Sequence, residues 1–186
     1  MEGFDLSKTL IIKRSGKKEP FDRMKLRRNV ERLTGVKDDD FYEKAYEAIE
    51  HRDTYTTKGI NKLLINTALD NIDEVNTEWT YVATKLFMNN LYKDAGENRG
   101  YDYRKKYGSL YNLLNTLNKK GVYADYILQK YSKEEIKQAE DMIVPERDNL
   151  FTYLGIYLLN DRYLVKDYNR NTYELPQERW MIIALH

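Results

Sequence analysis

A chain of 186 residues has room for one domain or two small ones. Hydrophobic residues make up 41% and charged residues 33%, a globular balance rather than a disordered one. With 31 Lys+Arg against 30 Asp+Glu, no Cys and two His, the sequence excludes disulfide scaffolds, zinc ribbons, iron–sulfur clusters and thiol catalysis, and it weighs against a His-rich metal site or a chain-wide nucleic-acid surface.

Residues 9–13 are β-branched and apolar, and Ser15-Gly16 marks a turn. Residues 18–21 read as the return strand of a hairpin. Pro20 cannot donate to a ladder, which assigns that strand to a sheet edge. Asp22 is the expected N-cap of a helix carrying Leu26, Val30 and Leu33 and ending at Gly35. A second helix opens after Asp38-Asp39-Asp40 with Phe41, Ala45, Ala48 and Ile49 on one face. A third, capped by Thr57, carries Ile60, Leu63, Leu64, Ala68 and Ile72. A fourth opens at Thr77 with Trp79, Val82, Ala83, Leu86, Phe87 and Leu91, and closes by Gly96. The polar, Gly-containing residues 97–100 form the candidate boundary between domains at 1–96 and 97–186.

Ser109 caps the next helix, which carries Leu110, Leu113, Leu114 and Leu117 and stops at Gly121. Ser132 and Glu135 form a capping box ahead of Ile136, Ala139 and Met142. Leu150, Leu154, Tyr157 and Leu158 line a further helix. Residues 163–173 read as a second hairpin turning at Asn169-Arg170-Asn171. Pro176 suits the first turn of a last helix. From Trp180 to Leu185 that helix is apolar on every side, so it is expected to be buried all round and to belong to a larger fold.

Charge is concentrated near the N-terminus. Lys8, Lys13, Arg14, Lys17, Lys18, Arg23, Lys25, Arg27, Arg28 and Arg32 stand against Glu19, Asp22 and Glu31, a local excess of seven positive charges. Lys25 falls in the first turn of a helix, where backbone N–H groups also favour phosphate. Two acceptors among these cations suit a ligand with phosphates at one end and a base amino group at the other. A solvated basic face is the competing reading. The 17 tyrosines, among them Tyr101, Tyr103, Tyr107 and Tyr111, fit packing with a wet hydroxyl better than radical transfer or RNA stacking. His51 reads as a solvated loop side chain.

The run from Leu10 to Lys25 resembles the opening of an ATP-cone, the nucleotide-binding module at the N-terminus of many ribonucleotide reductases. It meets the pattern hydrophobic-x-Lys-Arg-x-Gly-x-x-Glu-x-x-x-x-x-Lys at Ile11, Lys13, Arg14, Gly16, Glu19 and Lys25. Trp79-Thr80-Tyr81-Val82-Ala83 through Leu91-Tyr92-Lys93 resembles the cone's last helix. Glu146-Arg147-Asp148, Phe151-Thr152-Tyr153, Tyr163-Leu164-Val165-Lys166 and Glu174-Leu175-Pro176-Gln177 resemble class I reductase large (alpha) subunits in order and spacing.

The resemblance implies a mainly α fold with small β-hairpins. A four-helix bundle capped by a small sheet would be followed by a helical region leading to a ten-stranded α/β barrel that the chain does not contain. It implies that ATP or dATP, with Mg2+, binds as an allosteric effector. The contacts it implies are Lys13, Arg14, Glu19, Pro20, Phe21, Asp22, Arg23, Met24, Lys25, Thr57, Asn61, Asn90 and Lys93. Glu19 and Asp22 would lie near adenine, and Lys25 and Lys93 at phosphate. Asn61 and Asn90 stand where related enzymes often have His, and Ser15 where the turn usually has Asp.

It further implies an oxidoreductase whose catalytic cysteines lie on other polypeptide, so the chain alone would be inactive and hold no redox cofactor or metal. The implied partners are a polypeptide carrying the barrel, the radical-generating small subunit and further copies in an oligomer. Nucleic acid and membrane are not expected, and the N-terminus, without a signal-peptide pattern, points to the cytoplasm. A stand-alone ATP-cone regulator without enzymatic activity is the alternative.

Overall fold

The computed structural model describes residues 9–49 and 53–186. Lys8 of the basic cluster and His51 lie outside the described residues. The chain divides into two compact units, Met1–Phe87 and Met88–His186.

In the first unit, β1 (Leu10–Ile12) pairs antiparallel with β2 (Lys18–Pro20), with Leu10 opposite Pro20 and Ile12 opposite Lys18. The turn between them closes through Lys13 N–H to Lys17 O, 2.8 Å, and Gly16 adopts φ 81°, which Gly accepts without strain. β3 (Thr54–Thr56) adds to the other side of β1 in parallel, giving the order β2-β1-β3. Pro20 therefore lies on an edge strand, where its missing N–H breaks no ladder bond. β3 has no counterpart in the sequence reading, because three residues are too few to show alternation.

α1 (Arg23–Thr34) is capped by Asp22, whose Oδ1 accepts from Lys25 N–H at 2.9 Å, and ends at Gly35 with φ 84°. α2 (Asp39–Ile49) and α3 (Thr57–Asp70) pack on each other and supply Phe41, Tyr42, Ala45, Ile49, Leu64 and Ala68 to the core. The cap of α3 is Thr56, whose hydroxyl accepts from Gly59 N–H at 3.0 Å, and not the expected Thr57, which begins the helix. α4 (Trp79–Arg99) starts two residues after Thr77 and does not close at Gly96. Gly96 is buried inside it, and a Cβ there would come within 2.9 Å of Tyr101 O and Tyr103 Cβ, which leaves no room for a side chain. Residues 97–99, read as a polar boundary, are its last turn, and Gly100 with φ 71° follows.

The second unit is built on α5 (Leu110–Lys119), α6 (Tyr126–Lys130), α7 (Lys133–Glu140), α8 (Tyr153–Arg162) and α9 (Pro176–Leu185), with 3-10 turns at Tyr103–Lys105 and Pro145–Leu150. Its core joins Leu110, Leu113, Leu114, Leu117, Ile127 and Ile136. Each such side chain contributes about 1.5–3 kcal/mol by leaving water. The Ser109 cap and the Ser132–Glu135 capping box form as the sequence indicated. The second hairpin does not form: a single bridge, Lys166 to Thr172, closes the segment. Asp167 instead organises the turn, accepting from Asn169 N–H, Asn171 N–H and the Asn171 amide.

Two buried polar networks tie this unit together. Asp148 accepts from the hydroxyls of Tyr92 (2.5 Å) and Tyr107 (2.8 Å) and from the Gln177 amide (2.8 Å). Burial pushes the Asp148 carboxyl above its usual range, and these donors pull it back only in part. Tyr123 donates to Glu174, and Arg99 forks onto Glu178. The tyrosines in these networks serve packing with a satisfied hydroxyl.

α8 and α9 depart most from expectation. α8 buries Ile156 and Leu159 and turns Leu154, Tyr157 and Leu158 outward, while Leu150 falls in the preceding 3-10 turn, also exposed. α9 was expected to be buried all round. It buries Ile182 but leaves Trp180 and Ile183 in solvent, and Met142 near α7 is exposed too. Among the described residues, no helix is long and apolar enough to cross a membrane.

Candidate nucleotide-binding site

The hairpin and the start of α1 bring three charged side chains to one point. Lys13 Nζ lies 2.6 Å and Lys25 Nζ 2.7 Å from the same oxygen of Glu19, Oε1. The register explains this. Glu19 sits opposite Ile11, so Lys13, two residues beyond Ile11 and just past the end of β1, falls on the same side of the hairpin. The Asp22 cap fixes the first turn of α1 and carries Lys25 back over the hairpin. Lys13, Glu19 and Lys25 are thus spaced six residues apart, a regularity already visible in the sequence.

The electrostatics follow from the geometry. Hydrogen bonds from Lys13 and then Lys25 hold the Glu19 carboxyl down at about 2. Glu19 in turn raises the Lys25 ammonium above its usual value. All three groups are at least partly solvent-exposed, so water screens much of this attraction. Two ammonium groups converging on one anionic oxygen, beside the N-terminal turn of a 12-residue helix, form a donor set that a phosphate oxygen can also satisfy.

The remaining expected contacts occupy several environments. Pro20 is exposed on the edge strand, and Met24 is exposed in the first turn of α1. Asp22 is engaged as the helix cap. Arg23 lies over the Tyr46 ring at 4.7 Å and 3.9 Å from Glu43. One guanidinium nitrogen of Arg14 is buried. Phe21 belongs to the core, edge-on to Tyr46 with centroids 6.3 Å apart, and acts as support for the hairpin rather than as an open surface. Thr57, relieved of capping, starts α3 half-buried. The Asn61 amide donates to Leu86 O at 3.0 Å and so ties α3 to α4. Asn90 and Lys93 lie beyond Phe87 on α4, in the second unit, where Lys93 Nζ stands 5.5 Å from the centre of the Tyr103 ring.

With this geometry in place, comparison with known proteins gives two domain matches. Residues 9–94 match the ATP cone domain. Residues 149–186 match the all-alpha domain of ribonucleotide reductase. The ribonucleoside-diphosphate reductase subunit alpha of Helicobacter pylori (strain ATCC 700392 / 26695) is 36% identical over 179 residues, covering 94% of this chain and 21% of the relative. That of Enterobacteria phage T4 is 35% identical over 182 residues, covering 95% and 23%. That of Synechocystis sp. (strain ATCC 27184 / PCC 6803 / Kazusa) is 31% identical over 176 residues, covering 94% and 22%. The chain therefore spans about a fifth of the length of the curated relatives it matches. Residues 9–94 belong to the ATP cone family and residues 149–186 to the ribonucleotide reductase all-alpha family, within a chain homologous to the N-terminal part of the ribonucleoside-diphosphate reductase alpha subunit.

Proposed function

We propose that this chain is the activity-regulating, adenine-nucleotide-binding part of a ribonucleoside-diphosphate reductase alpha subunit. The observation that carries the reading is the convergence of Lys13 and Lys25 on Glu19 inside a segment that matches the ATP cone. ATP or dATP, as the Mg2+ complex, offers its phosphates to Lys13 and Lys25, with Arg14, Pro20, Asp22, Arg23, Met24, Thr57 and Asn61 as the surrounding contacts and Phe21 holding the hairpin from beneath. The match runs to residue 94, and on that ground the proposal extends to Asn90 and Lys93. The match at residues 149–186 favours this reading over a free-standing cone regulator.

Regulation then works by linkage. ATP and dATP favour different subunit arrangements of the enzyme, and each shifts the balance only by its difference in affinity for the two. The barrel that reduces ribonucleotides to deoxyribonucleotides, and the small subunit that generates the radical, are the partners in this scheme, which is placed in the cytoplasm. Lys25→Ala is expected to weaken ATP and dATP binding by about 1.5–3 kcal/mol, the range for a charged hydrogen bond. Isothermal titration calorimetry measures it, and a folded wild-type sample that gives no heat at millimolar nucleotide overturns the reading.

The chain contains no Cys and so no thiol for radical chemistry. Purified alone and mixed with a small subunit, a thiol reductant and CDP, it is expected to form no deoxynucleotide. Product formation in that assay, detected by chromatography, contradicts the assignment of catalysis to other polypeptide.

A further inference from the structure

The two lysines that meet at Glu19 stand on backbone that is fixed by its own hydrogen bonds. Lys13 N–H donates to Lys17 O at 2.8 Å across the hairpin turn, and Lys25 N–H donates to Asp22 Oδ1 at 2.9 Å in the first turn of α1. This scaffold delivers two ammonium groups close together, where they repel one another, and Glu19 Oε1 is the counter-charge between them. Asp22 is committed to capping α1. The side chains of Lys13, Glu19 and Lys25 are 32%, 24% and 46% exposed, so they can exchange partners without opening the fold.

We propose that Glu19 is a built-in rival of phosphate, holding Lys13 and Lys25 together and leaving them when a phosphate oxygen takes its place. The inference rests on the functional reading above and adds what sets the affinity of that site. A carboxylate oxygen that accepts from two ammonium groups fills the position a phosphate oxygen would fill. Each ammonium carries three N–H donors, so donor count alone does not force the exchange. Charge does, because a phosphate on the remaining donors would lie against the Glu19 carboxylate, and like charges at that range repel. Protonation offers no way out. The Glu19 carboxyl is held down at about 2, so it stays ionised at neutral pH and has to be displaced.

The displacement is feasible because ion pairs this exposed are individually weak, whereas a polyphosphate brings several charges at once. The apparent dissociation constant is then the intrinsic one divided by the fraction of molecules in which the ammonium groups are released from Glu19. Every phosphate ligand meets the same cost. Glu19 therefore sets the concentration at which the site fills, rather than which phosphate compound it prefers.

The test uses the full 186-residue chain and two probes, sodium tripolyphosphate and ATP, titrated by calorimetry at one ionic strength. Glu19→Gln keeps the shape and removes the charge. It is expected to bind tripolyphosphate at least about fivefold more tightly than wild type, which corresponds to released ammonium groups in no more than about a fifth of wild-type molecules. Glu31→Gln makes the same change in net charge on a carboxylate that pairs with Arg27 instead, and it is expected to stay within about twofold of wild type. Far-ultraviolet circular dichroism confirms that both variants are folded. In wild type labelled with 13C-glutamate, the Glu19 carboxyl resonance, identified by its loss in Glu19→Gln, is expected to move when tripolyphosphate is added at neutral pH. A carboxylate that keeps its lysines would leave that resonance in place and overturn the proposal. If wild type binds ATP and Glu19→Gln gains less than fivefold toward tripolyphosphate, or Glu31→Gln gains as much, the rivalry is overturned and the functional reading survives. If Glu19→Gln alone gains toward tripolyphosphate but neither it nor wild type binds ATP, the rivalry stands and the functional reading falls. If neither protein binds either probe, both fall.

Discussion

Replacing Glu178 by alanine is expected to destabilise the second unit by about 3–5 kcal/mol, the cost of stranding a buried charge. Arg99 Nη1 donates to both Glu178 oxygens, at 2.8 and 2.9 Å, and the two side chains are 4% and 0% exposed. Nη1 also reaches Tyr173 O, and Nη2 donates to Ser109 O, so the guanidinium joins α4 to the start of α5 and to the segment before α9. Burial pushes the Glu178 carboxyl upward while Arg99 favours its ionised form. Without Glu178 the guanidinium keeps its carbonyl partners and loses its counter-charge. Urea unfolding followed by Trp180 emission measures the loss. Arg99→Met/Glu178→Met, which removes both charges and fills the space, is expected to recover most of it. A loss below about 1 kcal/mol for the single variant would show that the pair is not structurally important.

The second large effect is expected in the first unit. Phe41→Ala should cost about 3–5 kcal/mol through lost burial and the cavity left behind. Phe41 is fully buried, stacked on Trp79 with centroids 5.2 Å apart and edge-on to Tyr42 at 5.2 Å. Trp79 therefore reports the change directly, through denaturant unfolding in a Trp180→Phe background. The variant also separates scaffold from site. Phe41→Ala should lower the unfolding midpoint and leave nucleotide affinity nearly unchanged where the unit is folded. Lys25→Ala should do the reverse. A Phe41→Ala protein with an unchanged midpoint contradicts the assignment of this ring to the core.

Much of the fold was legible because local signals were strong. Asp22, Ser109 and the Ser132–Glu135 box cap the helices they were expected to cap, and Gly35 and Gly121 follow the ends of α1 and α5 with positive φ. The misreadings share a cause, which is that tertiary contact decided what local pattern could not. Gly96 looks like a helix stop, yet it is a helix-interior residue that lets Tyr101 and Tyr103 approach closely. Thr56 and Thr57 offer the same hydroxyl, and only the backbone direction out of β3 selects Thr56 as the cap. The stripe Leu150, Leu154, Tyr157 and Leu158 carries correct helical spacing, but periodicity does not say whether a face meets its own core or another polypeptide.

At the site, the charge cluster and the position of Lys25 were legible, since both depend on nearby sequence. The shared carboxylate of Glu19 was not, because it depends on which residues of β1 and β2 stand opposite one another. Asn61 likewise reads as a ligand contact in sequence, while its bond to Leu86 O depends on α3 and α4 lying side by side.

The three-stranded sheet also fixes an order of assembly. β1 and β2 are separated only by residues 13–17, so their pairing closes a short loop and can form on the microsecond scale of hairpins. β3 reaches β1 only after α1 and α2 have been accommodated between them, a closure with a larger entropic cost and a later place in folding. Lys13, Glu19 and Lys25 all fall on the early side of that divide. Substitutions at Tyr55 should therefore act mainly on the unfolding rate, whereas those in the turn around Gly16 should act mainly on the folding rate. A nascent chain would present its basic cluster before the sheet beneath it is complete.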